Sequence, residues 1–383
     1  MSDLEAKDPF YSLPEHYIET AEQFEEFIAE VDSQGFYECC SIDTEADSMH
    51  SYETKLCLIQ FSLPSMLAII DPLSIGKEGM SRFPEFIDRF GTVWMHGADY
   101  DISMFEMTFG WVPRRIDDTQ IAARLLGVPK FGLANLLEEE YGIKVSKQSQ
   151  KADWSRRPLS EKMLAYAYND VRYLLDLGEK FVQQLKECGR YEWFVESCDA
   201  ARTSVLGRDG KSEDEVWRIS GWGKLSRRGL NYLLHLWLWR DSECKKLDRP
   251  AFKFLSNQEI LRMSISLDEN GSAKPPHYLK ERHVRRMNVA IDEARQVPES
   301  EFPSKRLKAT GPRLDIDEAR FEKIRAFRNQ AADSLKVDST MIATRSIMER
   351  LASKNLSDPE RLQGLQDWQR TILLPVLEEV GVS

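Results

Sequence analysis

Two acidic side chains stand two residues apart near the end of a predicted strand. Residues 41–47 read SIDTEAD and follow a segment rich in strand-favouring residues. Because residues i and i+2 of a strand point to the same side, Asp43 and Glu45 would share one face of a sheet. Two like charges on one face repel each other, so the pattern indicates that something other than folding neutralises them.

Two further acidic motifs follow along the chain. Residues 96–101 read HGADYD and lie where a predicted strand turns into a helix. Residues 166–170 read YAYND and lie on a predicted helix with an apolar stripe at helical spacing. Asp170 borders that buried stripe, and Tyr166 precedes it by one turn and points the same way.

Acids on a core strand, at a strand end and on the inner face of a helix predict a divalent metal site. Mg²⁺ and Mn²⁺ prefer carboxylate oxygens, and two such ions ~4 Å apart can bind the attacking and leaving oxygens of a phosphoryl displacement. Each motif alone has a simpler explanation: a solvated strand end, a structural histidine, or a common Tyr–Asp spacing. The prediction depends on all three occurring in order.

Composition is typical of a globular protein of two or three domains, with 383 residues of which 42% are hydrophobic. The sequence has no run of 18 apolar residues and no apolar signal segment near residue 1, so we expect neither a membrane span nor export. The six cysteines are scattered without CxxC pairs, which favours the cytoplasm.

Charge is distributed unevenly around a net value of −11. Residues 1–50 hold 14 acidic residues and one lysine, whereas residues 220–310 hold 18 Lys and Arg against 11 Asp and Glu. The basic middle is compatible with binding of a polyanion, and an ordinary solvated surface explains it equally well.

Strand and helix signals alternate in the first half of the chain, and helical patterns dominate from residue 118. The predicted elements are a helix over 19–31, three strands over 36–45, 55–63 and 66–71 with a hairpin among them, and a strand over 92–96. Polar segments at 202–215 and 297–313 are predicted linkers. The division that follows is an α/β domain at 1–205 and two all-helical domains at 211–298 and 312–383.

These motifs resemble those of the ribonuclease D family, whose members are DEDD exonucleases with tyrosine in the third motif. Similar segments are KLCLIQ at 55–60, the Asp118-Thr119 pair, QKADWSRRPL at 150–159 and WRISGWGKL at 217–225. Residues 217–225 together with residues 239–250 resemble a helicase-and-RNase-D C-terminal (HRDC) domain, and residues 315–383 resemble a diverged second copy.

The resemblance implies an α/β RNase H-like (DnaQ-like) exonuclease domain with a mixed sheet, followed by two small all-α HRDC-type domains. It implies hydrolysis of RNA from the 3′ end with two divalent ions, Mg²⁺ or Mn²⁺, and release of nucleoside 5′-monophosphates. The family's four metal-binding acids match Asp43, Glu45, Asp101 and Asp170. Its tyrosine, which orients or deprotonates the attacking water, matches Tyr166, and the spacing from His96 favours Asp101 over Asp99.

Substrate contacts are predicted from aromatic and basic side chains. Beside the acids they are His96, Gln150, Trp154, Arg156 and Arg157, and in the basic middle they are Lys224, Arg227, Arg228, Arg285 and Arg286. The alternative for residues 154–157 is that the tryptophan packs in the core and the arginines lie on the surface, with no role in substrate binding.

The partner predicted from the family is RNA with a 3′ extension, such as a tRNA precursor, bound by a monomer. A 3′-5′ DNA exonuclease is the nearest alternative, because the same carboxylates serve both polymers. A non-catalytic RNA-binding scaffold is the second alternative, although it would have lost an acid and none is missing.

Overall fold

The computed structural model describes residues 9–145, 151–208, 215–305 and 314–382. These residues form two compact units. Residues 9–46, 56–208 and 314–382 make up the first unit, and residues 47–55 and 215–305 make up the second. Residues 314–382 therefore share a unit with the α/β region, while the predicted domain boundaries themselves stay a prediction.

One mixed sheet organises the first unit. Its strands are β1 (Glu15–Ile18), β2 (Cys39–Ala46), β3 (Leu56–Leu63), β4 (Met66–Ile70), β5 (Thr92–Met95) and β6 (Ile116–Asp118). The strands lie in the order β1-β4-β3-β2-β5-β6. The central β2–β3 and β3–β4 pairs are antiparallel, and the outer β1–β4, β2–β5 and β5–β6 pairs are parallel. The predicted hairpin and mixed sheet are confirmed.

Helices surround the sheet and continue to the end of the chain. In the first half they are α1 (Ala21–Ser33), α2 (Pro72–Gly79), α3 (Phe83–Ile87), α4 (Asp99–Phe109), α5 (Thr119–Leu125), α6 (Leu133–Tyr141), α7 (Glu161–Arg172), α8 (Leu174–Glu187) and α9 (Tyr191–Leu206). In the second unit they are α10 (Arg227–Leu247), α11 (Ala251–Phe254), α12 (Asn257–Asn270) and α13 (Glu281–Gln296). The last are α14 (Glu318–Leu335), α15 (Ser339–Ile342), α16 (Arg345–Leu351), α17 (Asp358–Leu362) and α18 (Asp367–Glu379).

Helix α1 illustrates how local sequence sets these boundaries. Thr20 and Gln23 form a capping box, in which the threonine side chain accepts from the Gln23 N–H and the glutamine accepts from the Thr20 N–H. Phe24 and Phe27 then recur at helical spacing and are buried against the aromatic side chains of α3. The helix predicted over 19–31 is confirmed with its ends shifted by two residues.

The side chains of β2 alternate between two different environments. Cys40 and Ile42 point into an apolar core shared with α1, α3 and α4. Ser41 faces the other way, where its Oγ lies 2.6 Å from Ser62 Oγ and both hydroxyls approach the Val171 carbonyl oxygen of α7. Asp43 and Glu45 have the same parity as Ser41, so β2 presents its acids toward the α7 face.

A separate apolar core joins the end of the chain to the α/β region within the first unit. It contains residues of α5, α8 and α9 together with residues of α14, α16 and α18. Trp193 and Trp368 stack with ring centroids 4.9 Å apart, and Ser197 Oγ donates to the Gln366 side-chain oxygen. This packing explains why residues 314–382 belong to the first unit.

The second unit is a helical cluster that includes the loop between β2 and β3. Its core is built from apolar residues of α10, α12 and α13, and Tyr52 of the loop packs against it. The Tyr52 hydroxyl donates to the Asp241 carboxylate at 2.9 Å, and its N–H donates to Asp248 at 2.9 Å.

Two strands and part of a helix differ from the sequence-based expectations. The predicted set lacks β1 and β6, which are only four and three residues long. Helix α9 extends to Leu206, into the predicted linker 202–215, because its buried side chains continue as far as Val205. Among the described residues, no helix combines the length and apolar character needed to cross a membrane.

Gly178 is required where α8 crosses the sheet. A Cβ atom at this position would lie 2.7 Å from carbons of the Trp94 ring. The Gly178→Ala variant gains ~1 kcal/mol in helix propensity but loses about 1–3 kcal/mol to overpacking, so we expect its free energy of unfolding to fall by about 1 kcal/mol. Urea denaturation measures this change.

The matched control is Gln184→Ala, an exposed position on the same helix. Its free energy of unfolding should stay within about 0.5 kcal/mol of the wild type. A Gly178→Ala protein more stable than the wild type would contradict the close packing of α8 on Trp94.

Candidate active site

The first pair of acids lies at the centre of the sheet. Asp43 is the cross-strand partner of Gln60, and Glu45 is the partner of Leu58, just before a register shift in the β2–β3 pairing. Burial raises the pKa of both carboxyls, and neighbouring acids raise it further, to about 9 for Glu45. Both groups therefore sit where a proton or a cation is needed.

Asp101 comes to the pair from the first turn of α4. Its side chain is 5% exposed, and Oδ1 accepts a 2.5 Å hydrogen bond from Thr44 Oγ1, between the two acids of β2. Burial raises the pKa of Asp101 to about 7, although the Thr44 bond opposes the shift. Asp99, in contrast, is exposed and pairs with Arg208 at 2.7 Å, so the preference for Asp101 agrees with the geometry.

Asp118 holds the start of α4 in place. Its carboxylate accepts hydrogen bonds from the Gly97 and Ala98 N–H groups at 2.9 Å and from the Gln120 N–H at 2.7 Å. It thereby caps α5 and fixes the turn that leads to Asp101. The sequence analysis named the Asp118-Thr119 pair only as a resemblance to the family. The sequence did hold a clue to the role of Asp118, because aspartate is a favoured N-cap residue directly before a helix such as α5.

Asp170 and Tyr166 enter from α7. Asp170 is 7% exposed; burial raises its pKa to about 8, and a hydrogen bond with the Tyr166 side chain opposes the shift. Burial and the nearby acids raise the pKa of Tyr166 above its usual value, so the phenol stays protonated and donates. The Trp154 ring packs 6.0 Å from the Tyr166 ring and limits its movement.

The acids interact with one another across a shared space. Charges on Asp101, Asp170 and Glu45 all raise the pKa of Asp43, and Asp170 raises that of Glu45 more than Asp101 does. A cavity of about 340 Å³ adjoins them. Its lining residues are Asp43, His96, Gln120, Gly132, Leu133, Ala134, Asn135, Val145, Tyr166 and Asp170.

The donor set of this site fits divalent cations. Four carboxylates with raised pKa values supply the hard oxygen ligands that Mg²⁺ and Mn²⁺ prefer. Among the residues described, no three His, Cys, Asp or Glu side chains are already gathered around one point as a finished metal cage.

Two polar side chains near the acids have buried atoms that lack a hydrogen-bond partner within the described part of the chain. They are the Gln60 amide, opposite Asp43, and Nε2 of His96. The other His96 nitrogen, Nδ1, lies 2.9 Å from Thr119 Oγ1. Gln60 was seen in the sequence only as part of a strand, because nothing in a single sequence marks a buried amide as unpaired.

The predicted substrate contacts at 154–157 divide into structural and exposed groups. Trp154 is 1% exposed and lies in an apolar core, as the structural alternative for it predicts. Arg157 makes a two-pronged contact with the buried Asp71, at 2.5 and 2.6 Å. Arg156 remains largely exposed beside Asp153. Gln150 lies outside the described residues, and substrate binding by these four residues stays a prediction.

The five predicted cations of the basic middle belong to the second unit, and most have protein partners. Arg227 donates to backbone oxygens that include Phe302 O, Arg228 pairs with Asp268 at 3.1 Å, and Arg286 pairs with the buried Glu243 at 2.9 Å. Arg285 forms an exposed pair with Glu281, and Lys224 is exposed. Their contribution to RNA binding stays a prediction.

Comparison with known proteins relates this chain to 3′-5′ exonucleases. Residues 15–186 match a family model described as 3′-5′ exonuclease, a span that includes all four acids and Tyr166. Ribonuclease D of Xanthomonas oryzae pv. oryzae is 28% identical over 360 residues, covering 88% of this chain and 92% of that protein.

Solved structures share the fold. A protein from Bifidobacterium adolescentis superposes with a TM-score of 0.76 at 23% identity, covering 95% of this chain and 96% of that one. Escherichia coli RNase D, described as an exoribonuclease involved in structured RNA processing, gives a TM-score of 0.68 at 22% identity, covering 95% and 97%. Residues 15–186 are thus similar to 3′-5′ exonuclease domains, and the predicted likeness of the chain to ribonuclease D is confirmed.

Proposed function

We propose that this protein is a 3′-5′ exoribonuclease that removes nucleoside 5′-monophosphates from the 3′ end of RNA. The observation that carries the proposal is that Asp101, Asp170 and Glu45 all raise the pKa of Asp43, and that Asp43, Asp170 and Tyr166 line one cavity. Likeness to ribonuclease D over most of the chain favours RNA as the polymer. Structured RNA with a 3′ extension, such as a tRNA precursor, is the proposed substrate class.

The four acids are the proposed ligands of two divalent ions, Mg²⁺ or Mn²⁺. Bound there, such ions would supply Lewis acidity to the attacking water and to the leaving 3′ oxygen. Asp43 is the proposed shared ligand, because the other three acids all raise its pKa.

Tyr166 acts as an orienting donor. Since burial and the charges of Asp170, Glu45 and Asp43 keep its pKa raised, the phenol is a poor base while the acids are ionised. Its hydrogen bond with Asp170 fixes the direction of both groups. Neutralising the acids would remove part of the cause of the raised pKa and make the phenol a stronger base, while its oxygen can accept a hydrogen bond from water in either case.

The acid at position 101 provides a test with a matched control two residues away. Asp101→Asn should lower kcat/KM by about 10²–10³-fold or more, because a lost metal ligand removes several kcal/mol of transition-state stabilisation. The assay follows a 5′-labelled RNA with a 3′ extension in Mg²⁺, Mn²⁺ or chelator and resolves products to single nucleotides.

Asp99→Asn is the control, since Asp99 is exposed and pairs with Arg208. It should retain activity within a few-fold of the wild type, on the order of the effect of a surface ion pair. Equal activity of Asp101→Asn and the wild type would refute the site. Cleavage of single-stranded DNA but not RNA would favour the alternative DNA exonuclease.

Without bound metal, the stability of the folded protein should decrease as the pH rises, because folding raises the pKa values of the acids. The folded pKa values, about 7 for Asp101, 8 for Asp170 and 9 for Glu45, lie above the ordinary carboxyl value near 4. Between roughly pH 4 and pH 9 the folded state therefore binds more protons than the unfolded state, and stability falls as pH rises. Thermal melts in chelator from pH 6 to pH 9 should show a declining Tm.

Mg²⁺ should raise the Tm, and most strongly at the alkaline end of that range, where the acids are ionised. Asp43→Asn should raise the metal-free Tm at pH 8, because it removes a carboxyl whose pKa is raised on folding and which therefore destabilises the folded state at that pH. The same variant should shrink the Mg²⁺-dependent increase. A metal-free Tm that rises from pH 6 to pH 9 would contradict the crowding of the four acids.

A further inference from the structure

Asn135 has a polar side chain that is accessible from the active-site cavity and has no protein partner. The residue lies in the first turn of α6 and lines the cavity together with Asp43 and Asp170. Its amide forms no hydrogen bond within the described part of the chain, yet its oxygen and nitrogen are not among the buried polar atoms that lack a partner. Both atoms are therefore exposed to solvent, in contrast to the buried amide of Gln60.

The end of the Asn135 side chain lies at the cavity wall. Its Nδ2 is beside Gly132, which also lines the cavity, 3.5 Å from the position that a Cβ atom of residue 132 would take. Gln120 is the other exposed amide of the lining, and its Nε2 lies 3.1 Å from the corresponding position at Gly97. Because Gly97 does not belong to the described lining, the Gln120 amide is turned toward the backbone before α4, and Asn135 is better placed to meet a ligand.

The wall around Asn135 carries no charge. Gly132, Leu133 and Ala134 precede Asn135 along the chain and line the cavity with it. The described lining contains no lysine or arginine, so this wall lacks the cations that usually bind phosphate. Apolar side chains beside one amide instead match a nucleobase, which has an apolar face and a polar edge.

The size of the cavity favours a single nucleotide. Its volume of about 340 Å³ is at the lower end of the range for small-ligand pockets. The acids Asp43 and Asp170 on the same cavity are proposed to hold the ions that act on the phosphodiester. The base next to that bond, which is the base of the 3′-terminal nucleotide, is therefore the one that the α6 wall would receive.

The chemistry of an amide matches the edge of a base. The Asn135 side chain has N–H donors beside a carbonyl acceptor. The Watson–Crick edge of each of the four bases likewise has a donor beside an acceptor, and an amide that turns over by 180° can meet either order. We propose that Asn135 hydrogen-bonds to the Watson–Crick edge of the 3′-terminal base while the ring packs against Leu133 and Ala134.

This inference rests on the proposed exoribonuclease function and makes Asn135 a substrate-binding residue. A base of the same shape as uracil that forms only very weak hydrogen bonds, 2,4-difluorotoluene, isolates the contribution of the edge. For the wild type, a terminal uracil nucleotide should be removed with a kcat/KM about 5- to 150-fold higher than a terminal difluorotoluene nucleotide, as expected for two hydrogen bonds.

The experiment compares two RNA strands of one sequence whose last ribonucleotide carries either uracil or 2,4-difluorotoluene. Single-turnover assays in Mg²⁺, with enzyme in excess but below saturation, give kcat/KM for removal of that nucleotide. Asn135→Leu, which keeps a similar volume without a donor or an acceptor, should bring the ratio of the two values to about 1 or below. Thermal melts report whether each variant is folded, and the wild-type ratio tests the inference even if Asn135→Leu does not fold.

Gln120→Leu is the matched control. Gln120 lines the same cavity, but its amide lies against Gly97. The control should keep the wild-type ratio of uracil to difluorotoluene removal, whatever its absolute rate.

Three results would overturn the inference while leaving the exonuclease standing. They are equal wild-type removal of the two nucleotides, an unchanged ratio in folded Asn135→Leu, and a ratio near 1 in folded Gln120→Leu. Absence of hydrolysis of both strands in Mg²⁺ and in Mn²⁺ would instead refute the proposed function itself.

Discussion

Repulsion among four carboxylates in a partly buried space is the constraint on which the rest of the first unit depends. Burial raises the pKa of each carboxyl most, and charges on the neighbouring acids raise those of Asp43, Glu45 and Asp170 further. The four carboxylates stay close together because packing elsewhere in the unit fixes the strand and helices that carry them. Strand β2 lies in the middle of the sheet with an apolar core behind Ile42, and α7 is fixed to the sheet through buried side chains such as Val171. The fold thus stabilises an arrangement that its own charges oppose.

Hydrogen bonds to neutral or backbone groups do the fine positioning. Thr44 donates to Asp101, and Asp118 accepts from three N–H groups around the turn before α4 and the start of α5. On the other side, Tyr166 bonds to Asp170 while Trp154 packs against its ring. The contacts made by Thr44, Tyr166 and Trp154 orient the carboxylates without adding negative charge. Asp118 is the exception, because its charge also raises the pKa of Asp101.

Local sequence predicts the elements and the acids but not their partners. Alternation in β2 and helical spacing in α7 placed Asp43, Glu45 and Asp170 on inward faces, since both periodicities are properties of a few neighbouring residues. Strands β1 and β6 were missed because three or four residues are too few for alternation to show. The bonding of Arg157 to Asp71 joins residues 86 positions apart, and the packing of Trp368 on Trp193 joins still more distant ones. No pattern in a single sequence encodes such distant pairs. An arginine on the surface therefore cannot be distinguished, from the sequence alone, from an arginine that bonds to a buried acid.

Within the described residues, two side chains beside the acids, His96 and Gln60, have buried polar atoms without a hydrogen-bond partner. Folding alone would favour pairing Nε2 of His96 and the Gln60 amide, or replacing them with apolar groups of similar shape. Burying them without a partner has a physical cost that packing elsewhere in the fold, an ordered water or a bound ligand must offset. The acids themselves need positive charge, which divalent ions would supply. An RNA strand brings its own negative phosphates to this acidic cavity, so cations must neutralise the carboxylates before the phosphodiester can approach them closely.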